Sequence, residues 1–94
     1  PPLMTVSEIL EQKLGVRGNE LLQIRQGVGR FVAKRFRSKY NKAPEKTTQF
    51  VQGRACQVSV YANVDEVEEW ASGYLEGSRL ALGQPRRDKY FQFQ

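Results

Sequence analysis

The sequence predicts a small α+β domain, mainly helical with one β-hairpin, in a winged-helix-like arrangement. Three observations lead there. Helical patterns occupy the first forty residues and recur after residue 63; a period-2 stretch with a glycine turn, residues 47–61, lies between them; and the most basic segment is the helical pattern immediately before that stretch. With 94 residues there is material for one modest core and not two. Apolar residues at 39% and charged residues at 27% give a globular balance, and no run of about 18 apolar residues exists to span a membrane. One domain over residues 1–94 is expected, with an ordered core over about 5–77 and a tail, 78–94, that packs, joins a second copy or stays flexible.

Thr5-Val6-Ser7-Glu8 is a capping box, so a helix starts there, with Val6, Ile9, Leu10 and Leu14 on one face and Gly15 as its left-handed end. Asn19 is the expected cap of a second segment carrying Leu21, Leu22 and Ile24. Gly27 and Gly29 then predict a break or kink, or a tight helix contact, because each glycine costs about 1 kcal/mol in a helix interior. Residues 29–46, GRFVAKRFRSKYNKAPEK, hold seven Lys or Arg and one Glu. Val28, Phe31, Val32 and Phe36 follow helical spacing on one side, and Arg30, Lys34, Arg37 and Asn41 on the other, which gives a core stripe and a basic stripe. Arg35 and Lys39 flank the apolar stripe and are expected to widen the positive surface; Pro44 ends the helix.

In TTQFVQGRACQVSVY, Cys56, Val58 and Val60 alternate with Gln57, Ser59 and Tyr61 and are expected to face inward. Gln52-Gly53 supplies the turn. A two-residue loop pairs Phe50 with Ala55 and turns it away from Cys56, whereas a three-residue loop, Gln52 to Arg54, pairs Phe50 with Cys56 and turns both inward. The second is favoured, with Arg54 at the tip. Asn63 then caps a last helix whose early acids, Asp65, Glu66, Glu68 and Glu69, suit its dipole, and whose buried stripe is Val67, Trp70, Ala71 and Tyr74.

Charge is segregated along the chain. Residues 25–54 hold nine bases and Glu45, residues 55–77 hold five acids and no base, and the whole carries a net +5. Such a basic block favours a polyanionic partner over a small metabolite. No catalytic chemistry is visible: with no histidine and one cysteine, Cys-His nucleophiles and the common zinc sets are absent, and no phosphate-binding glycine loop occurs. The expectation is a protein that is not an enzyme, with no cofactor, no metal and no small-molecule substrate. Cys56 reads as small core packing. A single cysteine, without a basic-then-apolar leader in this sequence, suggests a reducing, cytoplasmic setting.

Several of these residues together resemble a segment of phage and viral antirepressor-like regulatory proteins. They are Gly29-Arg30-Phe31-Val32, Phe36-Arg37 followed by Tyr40, Pro44-Glu45-Lys46, the Gln52-Gly53-Arg54 turn, and Val58 with Val60-Tyr61. The resemblance is one of order and spacing over about residues 5–75. Asn41 stands where that pattern has a glycine, a mild departure because asparagine tolerates a left-handed turn. What the resemblance implies is a regulatory protein acting on DNA or on a DNA-bound partner; it carries over no catalytic residue.

The basic helix and hairpin point to duplex DNA as partner, with Arg30, Lys34, Arg35, Arg37, Lys39, Lys42, Lys46 and Arg54 as the candidate contacts. The alternative is a protein-interaction or oligomerisation module whose basic face meets an acidic protein or a second copy of the chain. RNA is a lesser expectation, since Phe31 and Phe36 look buried and unavailable for base stacking.

Overall fold

The computed structural model describes residues 2–81, without the side chains of 79–81. Its first helix begins as the capping box requires: Thr5 Oγ1 accepts from the Glu8 amide at 3.1 Å, and Glu8 Oε1 accepts from the Thr5 amide at 2.9 Å. This helix, α1 (Val6–Gln12), has seven residues, too few to be stable alone, and is held by burying Val6, Ile9 and Leu10. Directly before it Met4–Thr5 form a strand, β1, which the sequence does not announce because two residues show no periodicity. Beyond α1, Gly15 takes the expected left-handed conformation (φ 69°). That turn brings Val16 into the core, with its amide donating to the Leu10 carbonyl at 2.9 Å.

The second helix, α2 (Gly18–Tyr40), runs unbroken for 23 residues. The expected break at Gly27 and Gly29 does not occur, and the residue before the helix, Arg17, rather than Asn19, is its cap position, with no side-chain capping bond. Tertiary contact explains the first correction. A Cβ on Gly27 would lie 2.6 Å from Tyr74 Oη, so glycine leaves room for the tip of that side chain, whose ring lies 5.1 Å from that of Phe31. Around Gly29 there is open space. The two glycines should therefore respond oppositely. Gly29→Ala should raise stability by about 0.5–1 kcal/mol through helix propensity. Gly27→Leu should lower it by about 1–3 kcal/mol through overpacking against Tyr74. Urea unfolding of both variants measures the difference.

Asn41 closes α2 in the left-handed conformation (φ 58°), its amide donating to the Arg37 carbonyl at 2.9 Å. The chain then turns through buried Pro44 into strands β2 (Glu45–Val51) and β3 (Arg54–Tyr61). The sheet is antiparallel in the order β1-β3-β2, so the hairpin's inner strand takes up the N-terminal strand at its base.

The favoured hairpin register is overturned. Phe50 pairs with Ala55 and Val51 with Arg54, leaving a two-residue loop, Gln52-Gly53, with both residues at positive φ (54° and 78°). This is the turn whose twist matches that of the flanking strands, and glycine makes its second position easy. The three-residue expectation assumed a core over Phe50; none is there, and Phe50 is 77% exposed. Arg54 accordingly sits at the first position of β3, just past the turn. The alternation also misplaces one residue: Cys56 and Val58 are half-buried and Val60 is buried, but Tyr61, expected to face out, is 1% exposed. Neighbours on a strand point to opposite sides, so both sides of β3 are covered at the base of the hairpin.

The last helix, α3 (Val64–Ala81), continues past the expected boundary at residue 77. It buries Val67, Trp70 and Ala71 as expected, together with Leu75, while Tyr74 is half-buried. The core lies where α1, α2 and α3 meet, with Tyr61 joining it from the sheet and meeting Phe36 edge-on at 5.5 Å. The result is a small α+β domain: two helices, a hairpin directly after the second that pairs with the short N-terminal strand, and α3 packed behind. Of the expected tail, 78–94, residues 82–94 lie outside the described residues.

Candidate nucleic-acid interface

Burial divides α2 lengthwise. Val28 and Val32 are fully buried, and Phe31 and Phe36 pack partly against the core; Arg30, Lys34 and Arg37 are exposed. The helical phase read from the sequence therefore holds. At 1.5 Å per residue the three cations span about 10 Å of axis, the rise of about three nucleotides along one strand. Gln23 and Gln26 continue the same stripe toward the N-terminus and are also exposed.

The stripe borders the hairpin. Gln26, Gly29, Arg30 and Ala33 of α2 line an open groove of about 310 Å³ together with Thr5, Val6 and Ser7 at the start of α1 and Gln49, Val58, Ser59 and Tyr61 of the hairpin. Arg30 is thus the basic residue that both elements share as a boundary. Arg37 lies further along, and its positive charge acts on the Tyr61 phenol. Burial is the stronger influence on that phenol and pushes its pKa above the ordinary 10.0. Lys46 is opposite Ser59 in the register and so on the same hairpin face as Ser59 and Tyr61. Lys42, Lys46 and Arg54 are all exposed.

Two candidates belong elsewhere. The guanidinium of Arg35 stacks over the rings of Phe31 and Trp70, at 5.7 and 5.8 Å from their centres, on the α3 side of α2. Lys39 is held by Glu66, which also accepts from the Tyr40 hydroxyl and, at 2.9 Å, from Asn63 Nδ2. Arg35 and Lys39 tie α2 to α3 and do not widen the Arg30–Lys34–Arg37 stripe. What sequence reasoning missed is the neutral lining of the groove, Gln26, Gln49 and Ser59. Gln26, four residues before Arg30, was findable from helical spacing; the other two were not, because the groove exists only once the hairpin is placed.

The Glu66 cluster is sensitive to acid. Hydrogen bonds from Lys39, then Tyr40, then Asn63 hold its carboxyl down to about 2, from an ordinary 4.5. The folded value lies below the unfolded one, so the contribution is whole above about pH 4.5 and disappears as pH falls toward 2. Glu66→Gln should flatten the fall of stability across that window. At neutral pH it should lower Tm only slightly, on the order of 2–3 °C, because the pair is screened by solvent. Thermal unfolding at pH 7, 4 and 3 for parent and variant reads both effects.

Among the described residues no group of three or more His, Cys, Asp or Glu side chains could hold a metal ion, and no helix is long and apolar enough to cross a membrane. Comparison with known proteins returns no matching family model, curated protein or solved structure.

Proposed function

We propose that this chain is a duplex-DNA-binding domain of a transcriptional regulator, with the exposed stripe of α2 against the sugar-phosphate backbone and the hairpin as a wing beside it. The observation that carries the reading is the shared groove. Arg30 stands on its helical wall and polar Gln49 and Ser59 on its hairpin wall, so a basic helix and a projecting ribbon address one surface. Among the described elements α1 and α3 pack on other sides of α2, and Arg30, Lys34 and Arg37 are exposed. Arg30, Lys34 and Arg37 are the principal contacts, with Lys42, Lys46 and Arg54 extending the positive field. The antirepressor-like pattern in the sequence fits a regulatory role, and the single Cys56 fits a reducing, cytoplasmic setting.

The test is a mobility-shift titration with random-sequence duplex at 50 and 200 mM salt. Three phosphate contacts predict a slope of log affinity on log salt of about −2.7, and the outlying lysines and Arg54 steepen it. A basic face built for an acidic protein gives no saturable shift of duplex at either salt, and that result would discard the DNA reading.

A further inference from the structure

Strand β2 has a neighbour on one side. In the sheet order β1-β3-β2 it pairs with β3 from Glu45↔Val60 to Val51↔Arg54, and no described segment pairs with its outer side. The sheet's other edge, β1, has only two residues. Natural sheets protect an edge strand by keeping it short, by a bulge, by proline or by well-placed charges. β2 runs seven residues in unbroken register without proline, and its two charges, Glu45 and Lys46, stand together at one end. Phe50 near the other end is 77% exposed.

The turn fixes which backbone groups are free. A two-residue loop is closed by a pair that exchanges both of its hydrogen bonds, here Val51 and Arg54, so Val51, Gln49, Thr47 and Glu45 aim their amides and carbonyls at β3. Lys46, Thr48 and Phe50 aim theirs outward. An incoming antiparallel strand must present outward groups at the same positions, and a second β2 centred on Thr48 does so: Lys46 lies opposite Phe50, Thr48 opposite Thr48, and Phe50 opposite Lys46. This register overlaps all seven residues of both strands. Side chains agree with it. Each exposed Phe50 ring meets the stem and ammonium of the other copy's Lys46. On the opposite face Glu45 lies across from the other copy's Val51, whose own pair is Arg54. Two strand spacings, about 9.6 Å between Cα atoms, let a glutamate and an arginine extended toward each other meet over that valine. Within one chain Glu45 and Arg54 stand at opposite ends of the hairpin, and among the described residues neither forms an ion pair.

We infer that β2 is a homodimer interface: two copies join edge to edge, antiparallel about a two-fold axis at Thr48, into one continuous sheet, with Glu45 of each copy paired to Arg54 of the other. A strand pair of this length covers less than the roughly 1,200 Å² at which standard interfaces begin, so the dimer is weak, with a dissociation constant on the order of 0.1 mM. Arg30, Lys34 and Arg37 lie outside β2, and the pairing leaves them exposed.

The experiment is sedimentation velocity without DNA, from about 10 µM to about 1 mM protein, across which the parent is expected to pass from monomer to dimer. Glu45→Arg and Arg54→Glu are surface changes that keep the parent's melting, and each sets like charges against one another at both ends of the seam. Each alone should weaken the dimer about tenfold. The double variant should recover the parent's affinity. So should an equimolar mixture of the two single variants, because each end of the seam then holds one acid and one base. Amide exchange gives a second readout: Lys46, Thr48 and Phe50 should exchange about threefold more slowly at about 1 mM than at about 50 µM, with Thr47, Gln49 and Val51 little changed. A parent that stays monomeric at 1 mM overturns the pairing, and protection of Lys46, Thr48 and Phe50 in that monomer assigns the edge to another stretch of the same chain. A dimer that neither single variant weakens, or that the mixture fails to restore, has its interface elsewhere and also overturns it. Pairing and DNA binding use different residues and no DNA is present, so either can fail without the other.

Discussion

Alanine at Arg30, Lys34 and Arg37 together is expected to weaken duplex DNA binding by two to three orders of magnitude at about 0.1 M salt and to flatten the salt slope by about 2.7 units. Each cation placed on a phosphate releases counterions worth about 0.9 in that slope. From 1 M down to 0.1 M salt, each lost contact therefore forfeits up to about eightfold in affinity. The loss should be similar for every duplex sequence, because phosphates are common to all. The fold should survive. All three side chains are exposed and form no contact that holds α2 to α1 or α3, and surface changes of this kind alter stability by no more than about 0.5 kcal/mol each. Arg35→Ala is the internal control: it removes a charge from the same helix but from above Trp70, so its affinity loss should be several-fold smaller than that of Arg30→Ala, with some loss of stability. A triple variant that binds as tightly as the parent removes the basic helix from the mechanism.

Leu10→Ala should destabilise the domain by about 2–5 kcal/mol, a large part of the 5–14 kcal/mol typical of a chain this size. Leu10 is 0% exposed, and its carbonyl accepts from the Val16 amide, so it fixes both α1 and the turn into α2. A seven-residue helix has little intrinsic stability to absorb the loss. The effect should spread, because α1 follows β1 without a linker, and β1 pairs with β3 through Met4↔Tyr61 and Thr5↔Val60. Loosening α1 therefore loosens the base of the hairpin. Chemical denaturation followed by Trp70 fluorescence and by far-ultraviolet circular dichroism should show one lowered midpoint common to both probes. Two separated transitions would mean that the hairpin and the helices do not unfold as a unit.

Much of the fold was legible because it follows from short-range chemistry. Thr5 and Glu8 satisfy each other's amides three residues apart, so the start of α1 is written locally. Val28, Val32, Arg30, Lys34 and Arg37 are sorted by a 100° step per residue, which no partner is needed to compute. Asn41, read as the last member of the helical stripe, instead ends α2 in the left-handed conformation that asparagine tolerates, three residues before Pro44. From the candidate contacts, the exposed basic stripe came from the same arithmetic.

Tertiary structure decided the rest, where local rules gave no answer or conflicting ones. Two glycines argued for a break, a kink or a tight contact in α2, and the tip of the Tyr74 side chain against Gly27 decides for contact at that position. The inward setting of Phe50 rested on hydrophobicity alone, but burial depends on whether another element covers the site, and none of the described elements covers Phe50; the turn's backbone preference then set the register. Arg35 and Lys39 look like neighbours of the stripe in sequence, yet α3 brings Trp70 and Glu66 to them from more than 25 residues away. Helix phase, caps and charge segregation are properties of a few adjacent residues and could be read from the chain; which face meets a neighbour, and hence which cations remain free for a polyanion, is fixed only when distant segments pack.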